Sequence, residues 1–454
     1  MADYSVSIAS YLQPGKHVHL VGIGGVSMRP LGLALRSMGL NVTGSDMNAS
    51  VSTDELIASG IPVAIGHRAE NLQDADCVIR TAAAHNDNPE IAAARERGIP
   101  VFERAQAWGH LMRAYRDAIC IAGTHGKTTT TSMVTHIFMA AGKDPTVMIG
   151  GNLPLLGAGH RIGSGDSIIL ESCEYCDSFL NFFPTTAVVT NIDEDHLDYF
   201  KDLSAIQASF RKFCELVPQG GIIIANADDA NTQTALAGLK QITFGDSENA
   251  TLRGENYSAD FSEFDVLAEG QPYCHLKLAV VGRHNAYNAL AACAVAWSHN
   301  ISGEIAASAL ADFHGAGRRM EFKGRFHGAD LYDDYAHHPG ELRATIDAVK
   351  QMGYQRILLA FQPHTYTRTA ALFDDFVKEL RRVDIAILAE IYAAREQNRI
   401  GISSRDLTKA IPGSVYCATL PDVTAFLAHA AKPGDVLLTV GAGDIYKAGD
   451  ALLK

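Results

Sequence analysis

The sequence lacks the long apolar runs of a membrane protein. No uninterrupted apolar stretch reaches about 18 residues, the length a spanning helix needs. The start, MADYSVSIASYLQPGK, has no basic segment followed by an apolar core, so we predict neither a secretory signal nor membrane insertion. Basic residues are also in deficit, with 38 Lys and Arg against 51 Asp and Glu and a net charge of -13. Because binding to a nucleic-acid backbone depends on clustered Lys and Arg, a nucleic-acid partner is not expected.

Cysteines are few and scattered. Eight cysteines in 454 residues do not have the dense spacing of a disulfide-stabilised secreted domain. We therefore predict reduced thiols and a cytoplasmic location. One pair, Cys173 and Cys176, has C-x-x-C spacing, which could mark a redox couple or half of a metal site. Since no second C-x-x-C completes a four-cysteine zinc site, coincidence is the favoured interpretation.

The length and composition predict a globular protein of several domains. Apolar residues make up 47% and charged residues 20% of the chain. At roughly 150 residues per domain, about three domains are expected. Strand-like and helix-like segments alternate throughout, which predicts an α/β fold with parallel sheets flanked by helices. The predicted domains are 1–111, 112–317 and 318–454, and a Gly-rich link at 313–317 precedes the third.

The first domain opens with a strand, a glycine turn, a helix and a second strand. The turn has the glycines that admit a pyrophosphate, and the second strand ends in an acid that could meet a ribose. The residues concerned are Gly22, Ile23, Gly24, Gly25, Ser45 and Asp46. Ser27 replaces the third glycine of G-x-G-x-x-G, so a diphosphate nucleotide other than NAD is favoured. A purely structural turn is the alternative.

The central domain contains the strongest motif. A short apolar strand runs into a glycine loop and a long helix, a context in which helix N–H groups, a Lys and a Thr bind phosphates and magnesium. The loop and helix start comprise Gly123, Thr124, His125, Gly126, Lys127, Thr128 and Thr129. Ile121 occupies the position of the first Walker A glycine, so the loop is a shorter relative of that motif. An ordinary Gly-rich turn with an incidental Lys is the alternative.

Two further strands of this domain end in acidic groups. Glu171 follows one buried strand, and an acidic run ending in His196 follows the next. Because ligands of open α/β sheets bind at strand ends, Thr128, Glu171 and His196 are predicted to serve one di-metal phosphate site. Taken singly, a solvated acidic loop and a capping histidine are the alternatives, since magnesium seldom recruits His.

Polar clusters also follow two strands of the last domain. Arg368 suits a substrate carboxylate through a bidentate contact, and His337 could orient or deprotonate an amine. From the residues alone, this region is only a polar site, and structural histidines are the alternative.

Together these stretches resemble the Mur ligase family along essentially the whole chain. The matching motifs are HVHLVGIGGVSM, GTHGKTTTTSM, ILESCEYCDSFL, TNIDEDHLDYF, GRHNAYNALAA, GAGRRMEFKG, YDDYAHHPGEL, FQPHTYTRT and EIYAAREQN. The resemblance implies a Rossmann-like N-terminal domain that binds UDP, a P-loop ATPase-like central domain and a Rossmann-like C-terminal domain. It also implies an ATP-dependent ligase that adds L-alanine to UDP-N-acetylmuramic acid through an acyl phosphate, in peptidoglycan precursor synthesis.

The resemblance further implies residue roles. Catalysis would depend on Lys127, Glu171, His196 and His337, with Thr128 and Glu171 holding one Mg²⁺ and His196 with Glu171 a second. Mn²⁺ is expected to substitute. Besides the loop from Gly123 to Thr129, ATP would meet His284, Asn285, Asn288 and Arg318. The turn with Ser45 and Asp46 would receive the UDP-sugar, and Tyr335, His337 and Arg368 the alanine. Thr365 stands where some relatives carry Arg, which leaves one carboxylate contact open.

Three alternatives remain at this stage. A murein peptide ligase would attach a tripeptide to the same sugar nucleotide, although EIYAAREQN and FQPHTYTRT favour the alanine branch. An NAD-dependent dehydrogenase would leave the phosphate loop and the acids without a task. A noncatalytic nucleotide-binding regulator would bind ATP without turnover. A monomer or a weak homodimer is expected.

Overall fold

The computed structural model describes residues 7–81, 84–196, 199–394 and 396–454. Leu197, Asp198 and Arg395, which belong to two of the quoted motifs, lie outside the described residues. The chain divides into two units, one formed by Met1–Arg253, Leu267–Gln271 and Leu290–Ala309, the other by Gly254–Val266, Pro272–Ala289 and Leu310–Lys454. Among the described helices, none is long and apolar enough to cross a bilayer.

The first sheet has five parallel strands in the order β3-β2-β1-β4-β5. This is a Rossmann-like order, in which the first strand lies at the centre and its turn opens at the carboxyl edge. The elements are β1 (His17–Val21), α1 (Met28–Ser37), β2 (Asn41–Asp46), α2 (Val51–Ala58), β3 (Val63–Ile65), β4 (Cys77–Arg80), α3 (Pro89–Glu96), β5 (Val101–Glu103) and α4 (Arg104–Met112).

The second sheet carries the phosphate loop. Its order includes the run β13-β12-β11-β10-β6-β9-β7-β8, in which neighbouring strands are parallel except that β8 pairs antiparallel with β7. The elements are β6 (Asp117–Ala122), α5 (Lys127–Ala140), β7 (Thr146–Leu153), β8 (Ala158–Arg161), β9 (Ser167–Glu171), β10 (Thr186–Val189), α6 (Leu203–Glu215), β11 (Ile222–Asn226), α7 (Ala230–Ala235), β12 (Ile242–Gly245) and β13 (Leu252–Glu255). The chain continues through β14 (Glu263–Ala268), β15 (Gln271–Lys277), α8 (Arg283–Ser298) and α9 (Gly303–Ala311).

The third sheet has the order β16-β17-β21-β18-β19-β20 and is parallel except for the β16–β17 pair. Its elements are β16 (Glu321–Phe326), β17 (Ala329–Asp334), α10 (Pro339–Gln351), β18 (Arg356–Phe361), α11 (Tyr366–Ala371), α12 (Phe373–Leu380), β19 (Ile385–Ala389), α13 (Ser404–Ala410), β20 (Val415–Cys417), α14 (Leu420–Ala430), β21 (Asp435–Val440) and α15 (Tyr446–Leu452). The α/β class predicted from the sequence is confirmed, but two antiparallel edge pairs were not predicted.

The central strands are buried because helices cover both faces of a parallel sheet. Every residue of β10 is buried, as are five of the six residues of β6. One apolar cluster continues from the first sheet into the second and includes Trp108 and Phe182. A Cβ on Gly109 would lie 1.9 Å from the backbone oxygen of Asn181, so α4 packs directly on the segment that follows β9. This packing fixes the loops at the carboxyl ends of the first sheet relative to those of the second.

Candidate functional site

The loop between β6 and α5 contains the predicted phosphate-binding residues. Gly123 has a φ of +143° and Gly126 a φ of +81°, values that residues with side chains rarely adopt. A Cβ on Gly123 would also lie 1.9 Å from the hydroxyl oxygen of Thr190. Glycine is therefore required at position 123 on both grounds. Helix α5 begins at Lys127, and its first N–H groups have no acceptor within the helix.

The residues that follow β10 hold this loop in place. The Thr190 hydroxyl donates to the carbonyl oxygen of His125 at 2.6 Å. The side-chain oxygen of Asn191 accepts from the N–H of His125 at 2.8 Å, and its carbonyl oxygen accepts from the N–H of Thr124 at 3.0 Å. The N–H of Asp193 donates to the Thr124 hydroxyl at 2.9 Å. Since the loop uses these N–H groups internally, an anion would meet the donors at the start of α5.

Lys127 is charged and tied to the loop. Its ammonium donates to the carbonyl oxygens of Gly123 and Thr124, the latter at 3.1 Å. The Glu174 carboxylate, whose side chain is 2% exposed, lies 3.2 Å away. Burial alone would lower the pKa of Lys127, but the negative charge of Glu174 outweighs that effect and raises the pKa above its usual value. The cation is therefore present at any physiological pH.

Two predicted metal ligands lie side by side. The Thr128 hydroxyl is 3.0 Å from Oε1 of Glu171 at the end of β9. The other carboxylate oxygen, Oε2, accepts from the N–H of Gly150 at 2.6 Å. A Cβ on Gly150 would lie 2.6 Å from Oε1, so only glycine lets β7 approach the acid this closely. Thr129, the next residue of α5, is buried.

His196 has a different acid beside it from the one predicted. Its Nε2 atom lies 3.9 Å from Oε1 of Glu174 and 3.7 Å from Oδ2 of Asp195. The Tyr175 ring centroid is 4.7 Å from the imidazole centroid. Glu174 was not among the predicted site residues, although the acidic run after β9 contains it. The pairing of His196 with Glu171 on a metal ion stays a prediction.

The donor set can be compared with what a metal ion needs. In the described part of the chain, no group of three or more His, Cys, Asp or Glu side chains is arranged to hold a metal. Thr128 and Glu171 nevertheless supply two adjacent hard oxygens, which magnesium prefers, and magnesium usually takes its remaining ligands from water and substrate phosphates. The pair fits Mg²⁺ bound together with a nucleotide.

The glycine turn of the first sheet folds onto the end of β2. The N–H groups of Gly22 and Ile23 donate to the carbonyl oxygen of Ser45 at 2.8 and 2.9 Å. The N–H of Gly24 donates to Oδ2 of Asp46 at 2.9 Å, and a Cβ on Gly24 would lie 2.9 Å from the same oxygen. Asp46 therefore fixes the turn, and its contact with a sugar nucleotide stays a prediction.

Ser45 belongs to a buried polar network. Its hydroxyl donates to the fully buried Glu90 at 2.5 Å and lies 3.0 Å from Nδ1 of His67. Glu90 also has Nδ1 of His67 at 3.2 Å and Nε2 of His19 at 3.7 Å. Burial would raise the pKa of Glu90, but the nearby His19 and the hydrogen bonds from Ser45 and Asn71 outweigh it and lower the pKa to about 2. The network supports β2 from within the domain.

A cavity of about 230 Å³ joins the two sites of the first unit. Gly25 and Ser27, of the glycine turn and the start of α1, line one side. Gly150 and Glu171, at the ends of β7 and β9, line the other. A ligand in this cavity would therefore contact the predicted pyrophosphate turn and the predicted metal site at once.

In the second unit, Arg318 is held by several partners. Its Nε donates to Oδ2 of Asp333 at 2.8 Å, and its two terminal nitrogens donate to the carbonyl oxygens of Gly443 and Gly441 at 3.0 and 2.7 Å. The guanidinium carbon also lies 5.0 Å from the ring centroid of Tyr335. The guanidinium is thus fixed at the carboxyl ends of β17 and β21, and its contact with ATP stays a prediction.

The three residues predicted for the amino acid come together around a fourth. The ring centroids of Tyr335 and His337 are 5.6 Å apart, and those of His337 and His364 are 5.9 Å apart. A terminal nitrogen of Arg368 lies 3.3 Å from Nδ1 of His364. Nδ1 of His337 lies 3.3 Å from Glu341. His364 was quoted in a motif but not predicted as a site residue, and it links the other three.

The three predicted ATP contacts in the GRHNAYNALAA motif lie in the first turns of α8. His284 is exposed, whereas Asn285 and Asn288 are buried. The Asn285 amide donates to the carbonyl oxygen of Val281 at 2.9 Å, and the Asn288 amide donates to Asn285 at 3.4 Å. The two amides are therefore oriented relative to one another.

Family models match all three parts of the chain. The model described as "Mur ligase family, catalytic domain" matches residues 17–116, "Mur ligase middle domain" matches 121–296, and "Mur ligase, glutamate ligase domain" matches 318–443.

Curated relatives and solved structures match over nearly the full length. A UDP-N-acetylmuramate--L-alanine ligase from Clostridium botulinum is 43% identical over 97% of this chain and 98% of the relative. One from Acetivibrio thermocellus is 43% identical over 98% and 97%. The crystal structure of a UDP-N-acetylmuramate-alanine ligase from Thermotoga maritima matches with a TM-score of 0.81, 30% identity and coverage of 96% and 98%. A murein peptide ligase from Psychrobacter arcticus matches with a TM-score of 0.74, 26% identity and coverage of 97% and 98%.

Proposed function

Because this chain belongs to the Mur ligase family, we propose that it joins L-alanine to UDP-N-acetylmuramate, with conversion of ATP to ADP and phosphate. The reaction is a step in peptidoglycan precursor synthesis. Lys127, Thr128 and Glu171 lie together at one edge of the sheet, and this observation supports the proposed chemistry. The Thr128 hydroxyl oxygen is 3.0 Å from Oε1 of Glu171. A cation and two hard oxygens at a helix N-terminus suit a triphosphate and its metal ion.

The reaction has two steps. A carboxylate oxygen of the sugar attacks the γ-phosphorus of ATP, and ADP leaves, which gives an acyl phosphate. The amine of L-alanine then attacks the acyl carbon, loses a proton and expels phosphate. Lys127 neutralises charge on the terminal phosphate, so catalysis is mainly positioning and electrostatic stabilisation.

We assign Thr128 and Glu171 to one Mg²⁺ and His196 with Glu171 to a second, and we expect Mn²⁺ to substitute. The bound ions would supply charge neutralisation at the phosphate oxygens. The position of Glu174 next to both Lys127 and His196 supports a single connected site.

The remaining roles are assigned by substrate. Arg368 takes the carboxylate of L-alanine, and His337 orients or deprotonates the amine, with Tyr335 beside them. The glycine turn receives the pyrophosphate of the sugar nucleotide. ATP is further contacted by His284, Asn285, Asn288 and Arg318. We retain 1–111, 112–317 and 318–454 as the domain limits.

We propose the cytoplasm as the place of action. All eight cysteines are free thiols, which agrees with a reducing compartment. A monomer or a weak homodimer remains our expectation for the assembly.

Phosphate release tests the proposal against its alternatives. Release that requires both UDP-N-acetylmuramate and L-alanine supports the alanine ligase. Release with a tripeptide in place of alanine supports a murein peptide ligase, and no release supports a regulator or a dehydrogenase. Lys127→Ala should abolish turnover and leave sugar-nucleotide binding nearly intact, because the lysine serves the ATP end. Equal loss of both would contradict this division.

A further inference from the structure

The cavity between the glycine turn and Glu171 contains a cation that the assignments above do not use. Arg104 is the first residue of α4 and lines the cavity. Among the described lining residues it is the only basic side chain. A guanidinium has five N–H donors and no acceptor, so it requires anions or carbonyl oxygens around it.

Arg104 has no such partner within the described part of the chain. No described residue accepts a hydrogen bond from its guanidinium or forms an ion pair with it. The neighbouring acid, Glu103, is already paired with Arg80, whose Nε lies 2.7 Å from its carboxylate. Burial lowers the pKa of Arg104, and the nearby Cys173 and Glu103 offset that effect only in part. A partly buried cation without a partner is costly unless a ligand supplies the missing anion.

The other described lining residues supply no positive charge to an anionic ligand. The Ser27 hydroxyl lies 2.9 Å from the sulfur of Met148, and the Trp108 indole donates to the carbonyl oxygen of Ser27 at 3.2 Å. Glu171, on the opposite side, is an acid. An anionic ligand that enters the cavity would therefore meet one positive side chain, and the guanidinium fork matches the paired oxygens of a phosphate or a carboxylate.

We propose that Arg104 binds an anionic group of the sugar nucleotide in this cavity. The inference rests on the proposed function, because UDP-N-acetylmuramate has two such groups, the pyrophosphate and the lactyl carboxylate. Arg104 would then contribute to recognition of the substrate together with the glycine turn and Glu171, which line the same cavity.

Binding of sugar nucleotides to Arg104→Gln, measured by titration calorimetry, tests the proposal. Wild-type protein is first assayed for product from UDP-N-acetylmuramate, L-alanine and ATP, and failure of that assay would count against the proposed function alone. For the variant we expect a ~10- to 100-fold rise in the Kd for UDP-N-acetylmuramate, the size of a lost charge-assisted hydrogen-bond pair, with an unchanged KM for ATP. Arg104→Lys, which keeps a point charge, should recover part of the affinity.

A second ligand identifies the group that is bound. UDP-N-acetylglucosamine has the pyrophosphate but no lactyl carboxylate. An equal loss for both nucleotides assigns Arg104 to the pyrophosphate, and a loss confined to UDP-N-acetylmuramate assigns it to the carboxylate. Arg116→Gln serves as the control, because Arg116 follows the other end of α4 and its side chain is 67% exposed. Wild-type affinity for both nucleotides in a folded Arg104→Gln protein would overturn the proposal.

Discussion

The ammonium of Lys127 lies 3.2 Å from Oε2 of Glu174, and the other oxygen of the same carboxylate lies 3.9 Å from Nε2 of His196. One buried acid therefore connects the cation of the phosphate loop with the imidazole that follows β10. A substitution of Glu174 should therefore alter the positions of both Lys127 and His196.

Glu174→Gln should lower kcat at least ~10-fold, because Lys127 and His196 lose the charge that orients them. It should also destabilise the protein by about 3 kcal/mol, since the lysine loses the carboxylate that balances its charge and keeps only the carbonyl oxygens of Gly123 and Thr124. Initial rates of phosphate release and denaturant unfolding measure the two effects. Glu215→Gln, at an exposed pair on α6, is the control. A rate within twofold of wild type would contradict the role of Glu174.

The Thr128 hydroxyl should determine the magnesium requirement. Thr128→Ala removes one of the two adjacent oxygens, so the Mg²⁺ concentration for half-maximal rate should rise ~10-fold, and Thr128→Ser should restore it. Thr135→Ala is the matched control, because that buried hydroxyl donates to its own helix at 2.7 Å. Metal titrations of the rate distinguish the variants, and equal curves for Thr128→Ala and wild type would remove Thr128 from the metal site.

Gly123 and Gly142 lie at opposite ends of α5, and both have positive φ. A Cβ on Gly123 would collide with Thr190, whereas one on Gly142 would meet nothing within 4 Å. Gly123→Ala should therefore cost more than ~3 kcal/mol and abolish ATP binding, and Gly142→Ala only about 1 kcal/mol. Thermal unfolding measures both losses of stability. Gly142→Ala reports the backbone strain alone, and Gly123→Ala reports the strain together with the collision with Thr190. Similar losses of stability would show that Thr190 can move aside.

The sequence was sufficient to predict most strands whose carboxyl ends carry the site. The sequence predicts strands over 17–21, 117–122 and 356–361 and a helix that begins at Pro339, and β1, β6, β18 and α10 have these limits. These segments have regular apolar patterns next to glycine turns, and such local signals do not depend on the rest of the fold.

The contacts that the sequence did not predict arise where the chain is irregular. After β9 the backbone has positive φ at Cys176 and Asp177, and His196 has a φ of +54°. No periodicity describes such turns, so the position of Glu174 between Lys127 and His196 could not be read from spacing. The lack of a partner for Arg104 among the described residues could not be predicted either, because it depends on the pairing of Glu103 with Arg80.

Glu90 should make stability depend on pH in a defined range. Its pKa in the folded protein is about 2, below the ordinary value of 4.5, so the unfolded chain takes up the proton first as the pH falls. The ionised carboxylate thus contributes about 3 kcal/mol above pH 4.5, and this contribution is lost between pH 4.5 and 2. Glu90→Gln should lower Tm at pH 7, with a difference from wild type that shrinks below pH 4.5. The exposed Glu96→Gln on α3 is the control, and a pH-independent difference would contradict the assignment.

Arg368 lies against His364, which in turn is 5.9 Å from His337 between ring centroids. If the guanidinium binds the carboxylate of L-alanine, Arg368→Gln should raise the KM for L-alanine ~10- to 100-fold while the KM for ATP stays constant. Arg368→Lys should recover part of the loss, because an ammonium keeps the charge without the bidentate geometry. Arg381→Gln, at the exposed end of α12, controls for surface charge. Because a structural role would affect every substrate through folding, equal changes in both KM values would exclude direct contact between Arg368 and the amino acid.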